Sequence, residues 1–326
     1  METLLFIVKF LVGLVLIIKG ADWLTDGASA IARRYGIPSL VIGLTIVAFG
    51  TSAPELVVSF VSALEGKTEM AIGNVVGSNI FNTLAIMGTT AIVFPVACSK
   101  NNIRIDVPFA LLASGILMVM ALHGNDISRL DGIILLGCFL VFMAYTFRMA
   151  HSSKKKSEPE AVTAPMAMWK AILLFLVGLA CLIFGGEWLV DGASGIALLL
   201  GVSQSIVALT IVAAGTSFPE LVTSVMAARK GDTDMAMGNV LGSNIFNIFL
   251  ILGVSSTVAP LSLGTITSVD LGIMTAGVVL LWLFCTYGRR YHYIERYEGI
   301  LLVFCAIAYY TWKVLEATGV TLPFIG

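Results

Sequence analysis

The sequence predicts an all-α membrane protein of about ten transmembrane helices in two inverted five-helix repeats, and three observations carry that expectation. The chain is 58% hydrophobic and only 12% charged, with a mean hydropathy of +0.97, far outside the range of a soluble globular domain. Gly20 to Gly88 matches Gly185 to Gly253 without a gap at a constant offset of 165, and more than half of the aligned pairs are identical. The lysines and arginines are distributed as inversion of the second copy requires.

Apolar stretches long enough to span recur at 4–20, 38–64, 71–97, 107–122, 131–149, 168–184, 203–228, 236–259, 269–287 and 299–315. The first reads as a membrane helix rather than a signal peptide, because Met1 to Leu5 carries no positive charge and Lys9 interrupts the apolar run. Residues 151–165, HSSKKKSEPEAVTAP, have the charge, Ser and Pro content of a solvated linker. The organisation is therefore a first five-helix repeat over 1–150, a linker over 151–165, and a second repeat over 166–326. Five spans per copy is an odd number, which inverts the second copy.

Charge tests the inversion separately. With the N-terminus outside and the linker cytoplasmic, in a plasma (inner) membrane, 14 of the 19 Lys and Arg face the cytoplasm. Duplicated positions change charge accordingly: Arg33-Arg34 become Leu198-Leu199, while Leu64-Glu65 become Arg229-Lys230.

Several function classes are disfavoured. Gly66-Lys67-Thr68 ends like a phosphate-binding loop, but the position five before Gly66 is Val61, so no nucleotide-driven pump is expected from this chain. The five cysteines, Cys98, Cys138, Cys181, Cys285 and Cys305, lack metal-like spacing and read as small packing residues. His123, His151 and His292 fall in predicted loops and receive no site role. Asp22, Asp26, Glu187 and Asp191 sit near predicted span ends, where interfacial or capping roles are expected.

Each copy carries G-T-S-x-P-E, as Gly50 to Glu55 and Gly215 to Glu220. Pro54 and Pro219 cannot donate to the carbonyl four residues back and push the preceding residue out of helical geometry, so the helix should break there. Freed carbonyls at bilayer depth need a partner, and a bound cation supplies one. The glutamates that follow, Glu55 and Glu220, are costly near the bilayer centre unless neutralised, and no Lys or Arg lies in the motif. At helical spacing Thr51 and Ser52 stand near Glu55, so hydroxyls, carbonyls and a carboxylate converge; all are hard oxygen ligands, suited to Ca2+ and Na+.

The next span of each copy carries G-N-x-x-G-S-N-I-F-N, as Gly73 to Asn82 and Gly238 to Asn247. Asn74, Ser78 and Asn82 form one polar stripe, and Gly73 and Gly77 allow a neighbouring helix to approach closely. Asn74, Asn79, Asn239 and Asn244 suit helix gluing as well as they suit a site.

At these paired motifs the chain resembles the cation/calcium exchanger superfamily, and within it the compact prokaryotic sodium/calcium antiporters, over essentially its full length. The resemblance implies ten helices, with ions held between the second, third, seventh and eighth. It implies Ca2+ ligation by Glu55 and Glu220, helped by Thr51 and Thr216 through backbone carbonyl oxygens. Na+ would share the glutamates and add Ser52, Ser78, Ser217, Ser243 and the carbonyls of Ala48 and Ala213, with Asn82 and Asn247 at the midplane. Some members carry an aspartate where this chain has Asn247, so one ionisable group is absent here.

The expected function is therefore a secondary active transporter, not an enzyme. It exchanges Na+ for Ca2+ by alternating access as both ions compete for the two glutamates. No cofactor is expected; the partners are the two ions and the lipid bilayer, with no nucleic acid. A Ca2+/H+ or K+-dependent Na+/Ca2+ exchanger is the nearest alternative, since a proton neutralises a carboxylate as readily as Na+. A cation channel and an intramembrane protease stand further off, because acids beside Thr and Ser on broken, inverted helices suit a switching carrier better.

Overall fold

In the computed structural model the described residues are 2–124, 126–154, 166–201, 213–288 and 290–317. The helices are α1 (Glu2–Tyr35), α2 (Ser39–Thr51), α3 (Ala53–Leu64), α4 (Thr68–Val93), α5 (Asn102–Gly124) and α6 (Arg129–Lys154) in the first half. The second half has α7 (Met168–Leu199), α8 (Ala213–Gly215), α9 (Phe218–Arg229), α10 (Thr233–Val258), α11 (Ser268–Tyr287) and α12 (Arg296–Ala317). Eight helices among the described residues are long and apolar enough to cross a membrane, and nine when the bent pair α2–α3 counts as one span.

Two expectations about span limits are corrected. The first span is not 4–20 and the sixth is not 168–184: α1 continues to Tyr35 and α7 to Leu199. The apolar run is interrupted by Asp22 and Glu187, yet neither GADWLTDGASAIA nor GGEWLVDGASGIA contains a proline to stop the helix. The four acids Asp22, Asp26, Glu187 and Asp191 therefore lie within helices and are not caps. His123 and His151 are likewise helical, in α5 and α6, whereas His292 is in a loop at φ +66°. The helix α6 runs to Lys154, and the rest of the predicted linker, 155–165, lies outside the described residues, as do 202–212 of the seventh predicted span.

The pair α1–α7 packs through glycines seven residues apart. A Cβ at Gly13 would lie 2.5 Å from Leu189 N, one at Gly20 2.8 Å from Gly178 O, and one at Gly192 2.5 Å from Phe10 N. Backbone touches backbone, which only the missing side chains permit. Around the buried centre, α12 meets α4 where Gly299 faces Gly88 O, and α6 meets α10 where Gly132 faces Ser256.

Short ribbons tie the halves together. The strand β1 (Val96–Ala97) pairs antiparallel with β4 (Tyr293–Ile294), and β2 (Asp126–Ile127) with β3 (Leu261–Ser262). The buried thiols of Cys98 and Cys285 meet beside the first ribbon, 2.7 Å apart.

Helix ends follow local chemistry. Gly66 and Gly231, at φ +75° and +82°, close α3 and α9, letting the N–H groups of Lys67 and Asp232 reach back to Ser62 O (2.8 Å) and Ala227 O (2.9 Å). Both α3 and α9 begin with a proline in the first turn, after Ser52 (φ −85°, ψ 9°) and Ser217 (φ −92°, ψ 6°) leave helical geometry. The axis turns by 49° between α2 and α3, as the proline predicts.

Candidate functional site

Glu55 and Glu220 stand in the first turns of α3 and α9, where unpaired N–H groups and the positive end of the helix dipole favour a carboxylate. Each is 1% exposed. Glu55 Oε1 accepts from Ser217 Oγ at 3.1 Å, and Glu220 Oε1 accepts from Ser52 Oγ at 2.9 Å. The hydroxyls thus serve the other copy's glutamate, which corrects the expectation that Thr51 and Ser52 gather on Glu55. Ser52 sits at the bend, out of register with α3, and points across to α9.

A matching pair of braces holds the two broken helices. Asn74 Nδ2 donates to Glu55 O (3.3 Å) and Ser59 Oγ (2.9 Å); Asn239 Nδ2 donates to Glu220 O (3.3 Å) and Ser224 Oγ (2.9 Å). Between copies, Asn79 Nδ2 donates to Asn244 O (3.2 Å), Asn244 Nδ2 to Thr83 Oγ1 (2.7 Å) and Asn247 Nδ2 to Asn79 Oδ1 (3.0 Å). Thr51 Oγ1 lies 3.1 Å from both Val47 O and Asn239 Oδ1. The Ala48 carbonyl accepts the Ser52 N–H at 2.9 Å and the Thr51 hydroxyl at 3.4 Å. Ala213 opens the short α8.

Other buried polar atoms have no partner. Fourteen buried side-chain N or O atoms among the described residues are unbonded, and seven belong to the predicted set: Glu55 Oε2, Glu220 Oε2, Ser78 Oγ, Ser243 Oγ, Thr216 Oγ1, Asn82 Oδ1 and Asn247 Oδ1. A buried polar atom left unmade costs about 1–3 kcal/mol, so seven together rival the whole stability of a typical domain. Oxygens so placed suit a cation that replaces its hydration shell. Among the described residues no three His, Cys, Asp or Glu side chains gather into a metal-binding group, so a cation here would lean on hydroxyl and amide oxygens beside two carboxylates.

Sequence reasoning missed Ser59, Ser224 and Thr83. The serines stand four residues after each glutamate in both copies, which was the available signal. It also missed the wide helical turns Phe81–Ile86 and Asn247–Leu252, which contain Asn82 and Asn247. The close approach expected at Gly73 and Gly77 is seen in the other copy. A Cβ at Gly238 would lie 2.6 Å from Leu40 O, and one at Gly242 2.8 Å from Ala48 Cβ. Ser205 and Leu209, the counterparts of Leu40 and Leu44, lie outside the described residues.

Comparison with known proteins agrees with both the fold and the duplication. The family described as "Sodium/calcium exchanger protein" matches twice, over residues 5–148 and 170–315. The chain is similar to the putative antiporter CaxA of Alkalimonas amylolytica, at 39% identity over 92% of this chain and 95% of that protein. It is also similar to the sodium/calcium exchanger MaX1 of Methanosarcina acetivorans, at 32% identity over 92% and 95%. Structures of the sodium-calcium exchanger NCX_Mj soaked with Na+ and Sr2+ superpose with a TM-score of 0.82, at 32% identity, covering 94% of this chain and 97% of that one. The chain is thus a member of the sodium/calcium exchanger protein family.

Proposed function

We propose that this protein exchanges Na+ for Ca2+ across the membrane by alternating access, with both ions competing for one site around Glu55 and Glu220. Five unbonded buried hydroxyl and amide oxygens, with one unbonded oxygen on each of the two glutamates, carry the reading. Ca2+ would be held by both glutamates with the carbonyls of Thr51 and Thr216. Na+ ions would use the same glutamates with Ser52, Ser78, Ser217, Ser243 and the carbonyls of Ala48 and Ala213, with Asn82 and Asn247 at the midplane. One Ca2+ neutralises the pair, as do two Na+ ions. Full occupancy by both is therefore excluded, and one ion displaces the other.

The architecture proposed is ten spans in two inverted halves. The linker is cytoplasmic and the N-terminus outside. Burial of both glutamates to 1% exposure supports a carrier with an occluded site rather than a continuous water-filled pore. An empty site resists crossing because two bare carboxylates in a low-dielectric passage lose hydration and repel. The backbone-tight pair α1–α7 would then slide as one body along the core of α2–α3, α4, α8–α9 and α10.

Radioactive Ca2+ uptake into proteoliposomes preloaded with Na+, K+ or low-pH buffer tests this. Uptake is expected with internal Na+ alone. Uptake driven by the proton gradient makes the protein a Ca2+/H+ exchanger, a requirement for K+ beside Na+ makes it K+-dependent, and uptake without any gradient makes it a channel.

A further inference from the structure

We infer that Lys230, held by Asp22 and Asp26, is a latch that ties one end of the α1–α7 pair to the ion-binding core and sets which face the site opens to. This rests on the sliding-pair reading above. Lys230 follows α9, the helix that carries Glu220. Its Nζ lies 2.7 Å from Asp22 Oδ1, 2.7 Å from Asp26 Oδ1, 2.7 Å from Asp22 O and 2.9 Å from Thr25 Oγ1, all on α1. Beside it Ser29 Oγ donates to Asp232 Oδ2 at 3.3 Å.

The duplication supplies an internal control. At the corresponding other end, Lys230 is replaced by Glu65, which cannot pair with the counterparts of Asp22 and Asp26, namely Glu187 and Asp191. Asp191 instead pairs with Lys9 at 3.0 Å, within the α1–α7 pair itself, and Glu65 pairs with its neighbour Lys67 at 2.7 Å. Ser194, the counterpart of Ser29, has no hydrogen-bond partner, and the counterpart of Asp232 is Lys67. Among the described residues, ion pairs fasten the sliding pair to the core at one end only.

The contact is built to open. Asp22 and Asp26 are one turn apart on α1, so an axial shift of one turn leaves Lys230 beside one carboxylate and releases the other. A cavity of about 330 Å³ lined by Ile18, Lys19, Asp22, Met226, Arg229 and Lys230 admits water to the charges. The side chains of Lys230, Asp22 and Asp26 are 28%, 38% and 48% exposed, so release strands no buried charge. Two exposed pairs on one lysine together shift an equilibrium by about threefold to tenfold, enough to bias a carrier without freezing it.

In the orientation proposed above the latch closes the cytoplasmic rim. Lys230→Gln in the full-length protein is expected to raise the apparent KM for Ca2+ at the outer face and lower it at the inner face, each by about threefold to tenfold. The exchange Lys230→Asp with Asp22→Lys is expected to restore the wild-type ratio. A second readout needs no transport. Ala28 is 1% exposed, in the apolar cluster shared by α1 and the core with Ala227, Ala228 and Met235. In an Ala28→Cys background, Lys230→Gln should speed labelling by a membrane-impermeant maleimide from the inner face by about threefold to tenfold. Unchanged labelling, or KM values that move together at both faces, overturns the latch. Absence of Na+-driven Ca2+ uptake by the wild type overturns the exchange reading alone, leaving the labelling result to decide the latch.

Discussion

Glu55→Gln changes charge at the site while keeping shape. The remaining carbonyl oxygen still accepts from Ser217 Oγ, at 3.1 Å in the parent, and the amide nitrogen replaces Oε2, an atom with no partner to lose. The pair then carries one negative charge instead of two, and a bound Ca2+ leaves one uncompensated positive charge at bilayer depth. Such a charge costs about 3 kcal/mol on insertion scales, equivalent to roughly a hundredfold loss of Ca2+ affinity before the repulsion of the new N–H donors is counted. Na+ suffers less, because one Na+ neutralises the remaining carboxylate. At a Ca2+ concentration of about 100 times the parent Kd, bound Ca2+ adds about 2.7 kcal/mol of stability; in the variant the same concentration adds about 0.4 kcal/mol. The assay is thermal unfolding in detergent with and without Ca2+, beside radioactive Ca2+ uptake. The apo variant should unfold no earlier than the parent, since a buried unpaired carboxylate has been removed. A variant that keeps the full Ca2+-dependent stabilisation and Na+-driven uptake would refute Glu55 as a ligand.

Three further outcomes follow from the geometry. Gly192→Leu forces a Cβ to within 2.5 Å of Phe10 N, so α1 and α7 must part, at a cost above about 3 kcal/mol; Gly137→Leu, with nothing within 4 Å of its Cβ, is the neutral control in the same melting experiment. Lys313→Met leaves Asp270, 0% exposed and otherwise held by Tyr309 Oη at 2.9 Å and the Thr267 cap, without its cation. It should cost about 3 kcal/mol, and adding Asp270→Asn should recover most of that in denaturant titrations. Asn239→Leu removes the donor to Glu220 O and Ser224 Oγ and should lower Na+-driven Ca2+ uptake about tenfold, whereas Ser224→Ala costs only about 1 kcal/mol and leaves uptake near the parent's.

What could be read from the sequence is what short-range chemistry decides. The breaks before Glu55 and Glu220 follow from a missing N–H at Pro54 and Pro219, a property of the residue itself. The seven unbonded oxygens fall on residues already singled out by motif. What escaped depends on which surfaces meet. The extension of α1 past Lys19 is apparent only when Gly20 and Gly27 are seen against the backbone of α7. The pairing of Ser52 with Glu220 and of Ser217 with Glu55 is equally invisible to helical spacing, because it needs a 49° bend and the approach of the other copy.

Inside the site the copies are near equals. The braces on Glu55 and Glu220 use the same residue types at the same 3.3 and 2.9 Å distances, and the cross-bonds to the carboxylates differ by only 0.2 Å (2.9 against 3.1 Å). In the proposed inverted arrangement, two such copies would give an outward and an inward state of equal energy. Whatever bias the carrier has must then come from positions where the duplication is broken. Those that change charge lie at the rim: Lys230 against Glu65, Asp232 against Lys67, and Arg33-Arg34 against Leu198-Leu199. Substitution of either member of the identical carboxylate pair, Glu55 and Glu220, should therefore abolish exchange, whereas substitutions at the unequal rim pairs should redistribute affinity between the two faces and leave the maximal rate near its parent value. A rim variant that lost all transport while folding normally would break this division of labour, and would place part of the ion path outside the four broken and braced helices.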